Sequence, residues 1–417
     1  MNIAYVVRRL SCLCVLLVLV KPGLTFANNT HLTLDAAIEK TLSKNPQLQQ
    51  FVLKGKQLST NREFAGLRPA YSIDVEVENF AGNGELSGFD SAETTVALSS
   101  VIEMGGKRGS RLELAETRID QFYLDRRIQT IDLLSNLTQV FISTLSIAEK
   151  INLAERSVSL HEALLSTVQS RVNKGIAQEA DLMRAKSALI EEQLKLEALR
   201  GKLAINQVAL ASFWGEKKPN FNTVSGELYT FSPVRDFESL FSQVESSAAI
   251  QRYASMARLK QAEVQLAKTS GRSDISWNVG VRQFQETDDT ALVAGFSIPL
   301  FSGKRNRSNY QRAQYELEAV DISREQTLIE LHQQLFEAYS QRQQAISAEK
   351  RIQREVIPAL EKAAVLTLKG YERGRYTYQD VVSAQRELIS AQLIRVEKAT
   401  IALLNQSIIE QLIAKPL

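Results

Sequence analysis

The chain has 417 residues, of which 44% are hydrophobic and 23% are charged, and its formal net charge is +3. Three of the 50 basic residues, Arg8, Arg9 and Lys21, lie at the N-terminus, and the rest of the chain carries 47 charges of each sign. This balance gives no support to a nucleic-acid-binding function, so no nucleic-acid partner is expected.

The N-terminus predicts a secretory signal peptide over residues 1–27. Two arginines precede an apolar run from Leu10 to Val20, and Thr25-Phe26-Ala27 supplies small residues at a cleavage site. The run, of about 11 residues, is too short to span a membrane. Both cysteines of the chain, Cys12 and Cys14, lie in this segment, so the exported chain needs no disulfide. No later stretch approaches 18 consecutive apolar residues, and no membrane-spanning helix is expected.

The remainder of the chain predicts a duplication. Anchor motifs return after about 197 to 199 positions: Gly106-Lys107-Arg108 as Gly303-Lys304-Arg305, Gly175 as Gly374, and Asp181 as Asp380. We expect a first structural repeat over 28–215 and a second over 238–417, joined by a turn-rich connector over 216–237. Each repeat is predicted to hold a lead-in helix, a β-hairpin and a long helical hairpin.

Four segments alternate apolar and polar residues and predict strands, at 71–77, 95–102, 275–282 and 292–300. Their lengths suit tilted strands that cross a bilayer. The links between them, 81–92 and 286–290, are rich in glycine and in acidic residues respectively, as in exposed hairpin loops.

Four strands cannot close a barrel, and lipid does not tolerate open sheet edges. Symmetric association would close the sheet: three copies give 12 strands and room for a pore, whereas two give a filled eight-stranded barrel. The residues alone leave open a soluble alternative, in which the hairpins lie on a helical bundle.

Long helices follow each pair of strands. Residues 110–173 contain no proline or glycine, and about 65 helical residues would reach roughly 95 Å. Apolar residues recur every seventh position afterwards, as in coiled coils, at Leu182, Leu189, Leu196, Leu203 and Leu210 and at Val382, Ile389, Val396 and Leu403. Pro358 interrupts the helix expected over 306–369 and predicts a local irregularity.

Three motifs resemble the TolC-like outer-membrane efflux proteins. They are Leu32-Thr33-Leu34-Asp35-Ala36-Ala37-Ile38 followed by Asn45-Pro46, the run from Phe296 to Arg305, and Tyr371-Glu372-Arg373-Gly374 with Asp380 six residues past the glycine. The resemblance implies a mainly α chain with a small β part, combining a long antiparallel helical barrel with four strands of a trimeric 12-stranded outer-membrane β-barrel. It also implies a large periplasmic extension, a periplasmic membrane-fusion adaptor and an inner-membrane resistance-nodulation-division pump.

Three further runs, 75–84, 92–95 and 102–108, resemble the CzcC-type branch of that family, which implies cobalt, zinc, cadmium or a similar divalent ion as cargo. Two other ducts, for drug efflux or for type I protein secretion, would share the architecture. A periplasmic coiled-coil scaffold without a channel is the third alternative.

The resemblance places adaptor docking at the two helical turns, with Arg171, Gly175, Asp181, Arg373, Gly374 and Asp380 as candidates. Turn formation and helix capping explain the same residues without a partner. Asp74, Glu76 and Glu78 are possible pore-lining residues, because carboxylate rings favour cations, although lumen solvation alone would account for them. Basic residues at Gly106-Lys107-Arg108 and Gly303-Lys304-Arg305 are expected to mark the barrel–helix junction.

Catalytic, cofactor and metal sites are not expected. His31, His161 and His332 are far apart in sequence, and the exported chain has no cysteine to complete a transition-metal site. Met104-Gly105-Gly106-Lys107-Arg108 lacks the glycine spacing and the Ser or Thr of a phosphate loop. The sequence therefore predicts a transport protein without enzymatic activity.

Overall fold

The computed structural model describes residues 31–233 and 235–415, and the predicted signal peptide lies outside them. The described helices are α1 Leu34–Lys44, α2 Pro46–Ala65, α3 Lys107–Asn173, α4 Glu179–Ser212, α5 Phe237–Glu245, α6 Ala248–Ser270, α7 Ser302–Arg351, α8 Ile357–Glu372 and α9 Tyr378–Ile413. The strands are β1 His31–Leu32, β2 Ser72–Glu78, β3 Glu93–Ile102, β4 Thr223–Val224, β5 Ile275–Phe284 and β6 Thr290–Ser297. The prediction of a mainly helical chain with four longer strands is confirmed.

The four longer strands form one antiparallel sheet in the order β2-β3-β5-β6. The predicted fourth strand was too long, since β6 ends at Ser297 and not at Leu300. Pro299 has no N–H to donate to the ladder, and Phe301 has a left-handed φ of 63°, which turns the chain into α7.

The register divides this sheet into two faces of opposite character. Pairings such as Val75 with Val96 and Trp277 with Phe296 place apolar side chains on one face, and Glu76 opposite Thr95 lies on the other. The apolar face is open to the surroundings of the single chain: Leu292 is 86% exposed, Phe296 78% and Ile73 75%. An exposed apolar surface of this extent is typical of contact with lipid or with another protein.

The first helical hairpin spans the molecule from the sheet to the opposite end. With 67 residues, α3 is about 100 Å long, and α4 returns along it after a turn at 174–178. The heptad positions of α4 form the seam: Leu182, Leu196 and Leu210 are buried, and Leu189 and Leu203 are half-buried. Seven-residue periodicity therefore marks the packed face, as predicted.

The second helical hairpin contains the irregularity expected near Pro358. A π-helical turn, Ile352–Val356, separates α7 from α8, and Pro358 lies in the first turn of α8. Proline donates no hydrogen bond and clashes with the carbonyl four residues earlier, here that of Arg354. The wider π turn accommodates this clash within a continuous helical path.

Short elements pack around the middle of the long helices. The parallel pair β1–β4 and α1 enclose a core that includes Leu32, Leu137, Phe141 and Leu210. By length and composition alone α3 could cross a membrane, since an 18-residue window has a mean hydropathy of 1.3 and is 33% buried. Core helices meet the same criterion, and Leu137 and Phe141 of α3 are buried inside this chain.

Two N-capping residues fix the starts of α1 and α2. The Thr33 side chain accepts a hydrogen bond from the Ala36 N–H at 3.3 Å and caps α1. Asn45 accepts from the Leu48 N–H at 3.1 Å, and its amide donates to the Phe213 carbonyl at 2.7 Å. Pro46 follows at the first position of α2, where its missing N–H costs nothing.

We expect Gly280→Ala to destabilise the sheet. A Cβ at this position would lie 2.7 Å from the Cα of Ala97 on the paired strand, and closer still to the Val96 carbonyl oxygen. The matched control is Gly201→Ala in α4, where nothing lies within 4 Å and alanine should stabilise the helix by about 0.5–1 kcal/mol. Thermal unfolding of the purified protein in detergent measures both changes, and equal melting temperatures for the two variants would contradict the expectation.

Candidate functional site: the acidic sheet face and the helical tip

The polar face of the sheet carries the three predicted pore-lining residues. Asp74, Glu76 and Glu78 alternate along β2, and all three side chains point to the face opposite the apolar one. Asp74 accepts a hydrogen bond from the Ser99 hydroxyl at 2.5 Å on the neighbouring strand. Glu76 is exposed, and within the described residues it has no hydrogen bond or ion pair.

Arg282 lies on the same face and was missed by the sequence analysis. Its guanidinium forms ion pairs with Glu78 at 2.9 Å and Glu93 at 2.8 Å, and its Nε donates to the Thr95 hydroxyl at 2.8 Å. One side chain of β5 thereby ties together β2 and β3. This arrangement depends on pairing between segments almost 190 positions apart.

The composition of the two hairpins was the signal that could have drawn attention to Arg282. Residues 72–102 and 275–297 contain nine acidic side chains and a single basic one, for a formal charge of −8. The acidic residues are Asp74, Glu76, Glu78, Glu85, Asp90, Glu93, Glu286, Asp288 and Asp289. A field of this sign attracts cations and repels anions.

The two junctions between strand and helix differ in how firmly they are held. At the first, Gly106 has a φ of 80° and caps α3, and Lys107 forms an ion pair with Asp274 at 2.7 Å, just before β5. Arg108 donates to the Gly66 carbonyl at 2.5 Å. At the second junction, Gly303, Lys304 and Arg305 are exposed, and the two basic side chains have no side-chain partner within the described residues.

The two helical turns have the same backbone conformation. Gly175 and Gly374 have φ angles of 71° and 75°. Each glycine N–H donates to the carbonyl three residues earlier at 2.9 Å, and the following N–H donates five residues back. This is the glycine-terminated helix end that sequence reasoning predicted.

Contacts between the turns show that they lie at the same end of the molecule. Arg171 at the end of α3 donates to the Glu372 carbonyl at 3.0 Å and lies 4.7 Å from the ring centre of Tyr371 at the end of α8. Tyr371 and Tyr378 are buried in a shared apolar cluster with Leu164 and Val168 of α3. Burial raises the pKa of both phenols, and the Arg171 cation offsets part of the increase at Tyr371.

Of the six predicted tip residues, Arg171 is hydrogen-bonded to the Glu372 carbonyl of its own chain, whereas Arg373 is exposed. The exposed surface also includes Ile176 at 60% and Tyr376 at 50%, which the sequence analysis did not single out. Gly370 permits the position of Tyr376, because a Cβ at Gly370 would lie 2.7 Å from the Cε2 of that ring.

Asp181 and Asp380 differ in their local roles. Asp380 completes a capping box, with hydrogen bonds from the hydroxyl and the backbone N–H of Thr377 at 2.7 and 2.8 Å, and these bonds lower the pKa of its carboxyl. The cap is therefore fully formed above the ordinary pKa of aspartate and is lost as the pH falls through the lowered value. Asp181 instead lies 3.6 Å from Arg184 in the first turn of α4.

The three histidines have separate surroundings. His31 contacts the Thr223 hydroxyl at 2.7 Å, the His161 Nδ1 lies 2.8 Å from the Ser157 carbonyl, and His332 packs edge-on against Phe237 and Phe241. In the part of the chain that the structure describes, no group of three or more His, Cys, Asp or Glu side chains is placed to hold a metal ion.

Several curated proteins are similar to this chain. The cobalt-zinc-cadmium resistance protein CzcC of Cupriavidus metallidurans is 24% identical over 300 residues, which are 72% of either chain. The pyoverdine export outer membrane protein OpmQ of Pseudomonas putida is 24% identical over 385 residues, covering 86% of this chain and 81% of OpmQ.

The fold is similar to that of solved outer-membrane channels. The CmeC outer membrane channel of Campylobacter jejuni superposes with a TM-score of 0.74 at 14% identity, over 91% of this chain and 85% of CmeC. The family model described as outer membrane efflux protein matches residues 37–216 and 247–406, which together make up most of the sequence. The two-faced sheet, the long helical hairpins and this match agree, and the chain belongs to the outer membrane efflux protein family.

Proposed function

We propose that the chain is the exit duct of a tripartite pump that exports divalent heavy-metal cations, and that it works as a homotrimer. The observation that carries the proposal is the open four-stranded sheet with one exposed apolar face and one acidic face. An apolar face suits lipid, and an acidic face suits a water-filled lumen through which cations pass.

The strand edges support a trimer. Among the described residues, β2 and β6 each have a strand neighbour on one side only, and lipid offers no partners to the backbone groups on the other side. The strands alternate in direction, so β6 of one copy would run antiparallel to β2 of the next. Three copies close a 12-stranded barrel wide enough for a lumen.

The helices leave matching edges. Beside the sheet, α2 packs on α3, α3 on α6 and α6 on α7, so that α2 and α7 are outermost. The outer side of α7 carries an exposed apolar stripe at seven-residue spacing: Tyr315 at 66%, Ile322 at 70%, Ile329 at 66% and Phe336 at 56%. This is the periodicity of a helix that packs against a partner helix. In the trimer, α2 of the neighbouring copy would be that partner.

Charge supports a cationic cargo. The hairpins carry a formal charge of −8 per chain, so three copies would surround the exit with a strongly negative field. The relative CzcC is named for resistance to divalent cations, which this field favours. The relative OpmQ is named for pyoverdine export. The runs 75–84, 92–95 and 102–108 of this chain, however, resemble the CzcC-type branch. Drug efflux and protein secretion remain the alternative outcomes of the test below.

The tip is the proposed docking site of the periplasmic adaptor, which would link the duct to an inner-membrane resistance-nodulation-division pump. Gly175 and Gly374 reverse the two helical hairpins at one end of the molecule, about 100 Å from the sheet. Ile176, Arg373 and Tyr376 are exposed beside them and offer apolar, cationic and aromatic contacts. Asp181 and Asp380 lie in the first turns of the returning helices α4 and α9.

The trimer predicts that β2 and β6 of different copies can be cross-linked. The described residues contain no cysteine, so the double variant Ser72→Cys, Ser297→Cys places one thiol at the start of β2 and one at the end of β6. A short bis-maleimide should give covalent dimers and trimers on a denaturing gel. Each single variant is the control and should give no trimer; a double variant that stops at the dimer would contradict three-fold closure.

The docking proposal predicts that Gly175→Val combined with Gly374→Val abolishes efflux while the trimer still assembles. Valine in the left-handed region costs about 1–2 kcal/mol and distorts both turns, although nothing lies within 4 Å of either position. Gly84→Val is the matched control, because Gly84 has a φ of 66° and equally open surroundings in the β2–β3 loop. Full metal tolerance in the double variant would rule out docking at these turns.

Growth of a deletion strain on zinc, cobalt, cadmium, nickel, copper and silver salts, with dyes and detergents alongside, tests the cargo. We expect hypersensitivity to a few divalent metals, restored by the plasmid-borne gene. Sensitivity to dyes or detergents alone would keep the duct and overturn the metal cargo. Unchanged tolerance throughout, with an extracellular protein missing from the medium, would point to protein secretion.

A further inference from the structure

The polar face of the sheet contains four carboxylates and one guanidinium. Reading across the strands, Glu76 is level with Thr95 and Arg282, and Glu78 is level with Glu93. Arg282 contacts both carboxylates of the second level, at 2.9 and 2.8 Å. Its Nε is also occupied, by the Thr95 hydroxyl.

These pairings divide the carboxylates into two groups. Glu78 and Glu93 share one cation, so the three side chains together carry a single negative charge. Asp74 accepts only a neutral hydroxyl donor, and Glu76 has no partner within the described residues. Glu76 and Asp74 lie about 7 and 13 Å further from the loops than Glu78, at 3.3 Å per strand residue.

We propose that Arg282 sets the charge selectivity of the duct: it neutralises one of the two carboxylates at the loop end of the sheet face and leaves Asp74 and Glu76 as the carboxylates of that face without a counter-charge. The proposal rests on the duct described above, in which this face lines the lumen. Arg282 is the single basic side chain in either hairpin, so no other hairpin residue can have this effect.

The effect of removing its charge follows from position. In Arg282→Gln the local charge at the mouth changes from −1 to −2 in each copy, and the change is repeated around the three-fold axis. A unit charge about 10 Å away in salt solution is screened but still felt by a passing ion. Because cations and anions respond in opposite directions, the permeability ratio of potassium to chloride should rise about threefold.

Planar-bilayer recording of the reversal potential in a tenfold potassium chloride gradient measures this ratio for the full-length protein. We expect wild type to prefer cations, Arg282→Gln to prefer them more strongly, and Asp74→Asn with Glu76→Gln to prefer them less strongly than wild type. Arg282→Lys is the matched control, because it keeps the charge while it loses the bidentate geometry. Its ratio should stay close to that of wild type.

A structural brace is the alternative role of Arg282, since Glu78 and Glu93 directly opposite each other repel. The double variant Glu78→Gln, Arg282→Gln restores the wild-type local charge without any arginine, and its selectivity should return to the wild-type value. If Arg282→Gln does not insert into the bilayer, Glu78→Gln with Glu93→Gln changes the local charge from −1 to +1 and should lower the cation preference.

The outcomes separate the two proposals. A wild-type protein without conductance would overturn the duct itself. Conducting channels in which Arg282→Gln leaves the ratio unchanged, or in which Arg282→Lys shifts it as far as Arg282→Gln, would overturn the selectivity role and leave the duct intact.

Discussion

The unpaired outer edges of β2 and β6 are the constraint on which the rest of the structure depends. Every backbone N–H and C=O in hydrocarbon must have a partner, and residues 31–233 and 235–415 supply partners along only one side of each edge strand. The exposed stripe on α7 poses the same problem in the helical layer, because four large apolar side chains face outwards at helical spacing. Assembly of copies around an axis would resolve both at once, since the two β-hairpins give each copy two sheet edges that could meet.

The length of α3 joins the membrane end to the periplasmic end within one element. Its first residues are tied to the sheet by Lys107 and Asp274, and its last turn is tied to α8 by Arg171. The second hairpin is not a single rod, since a π turn before Pro358 divides α7 from α8. The two hairpins therefore reach the tip differently: α3 is one continuous helix, whereas the α7–α8 path contains a π turn that ends 18 residues before Gly374.

Local periodicity and backbone chemistry made much of this architecture predictable. Alternation located the strands, seven-residue spacing located the seam of α4, and glycine located both left-handed turns, because each signal is contained in a few consecutive residues. The end of β6 was placed three residues too far, since the alternation continues through Leu300 while Pro299 breaks the ladder. Arg282 with Glu78 and Glu93, and Arg171 with Tyr371, were not predictable, because their partners come from segments about 190 to 200 positions away and depend on register and packing.

An exit duct has no energy source of its own, so its field must attract the cargo without retaining it. Nine carboxylates without a counter-charge would hold divalent cations at the mouth, where two carboxylates from neighbouring strands already lie level with each other. Arg282 neutralises half of that local charge, and its ion pairs with Glu78 and Glu93 offset the repulsion between these two carboxylates. The deeper carboxylates, Asp74 and Glu76, keep their full charge on the sheet face, so Arg282 lowers the negative charge at the loop end of that face without lowering it further along the lumen.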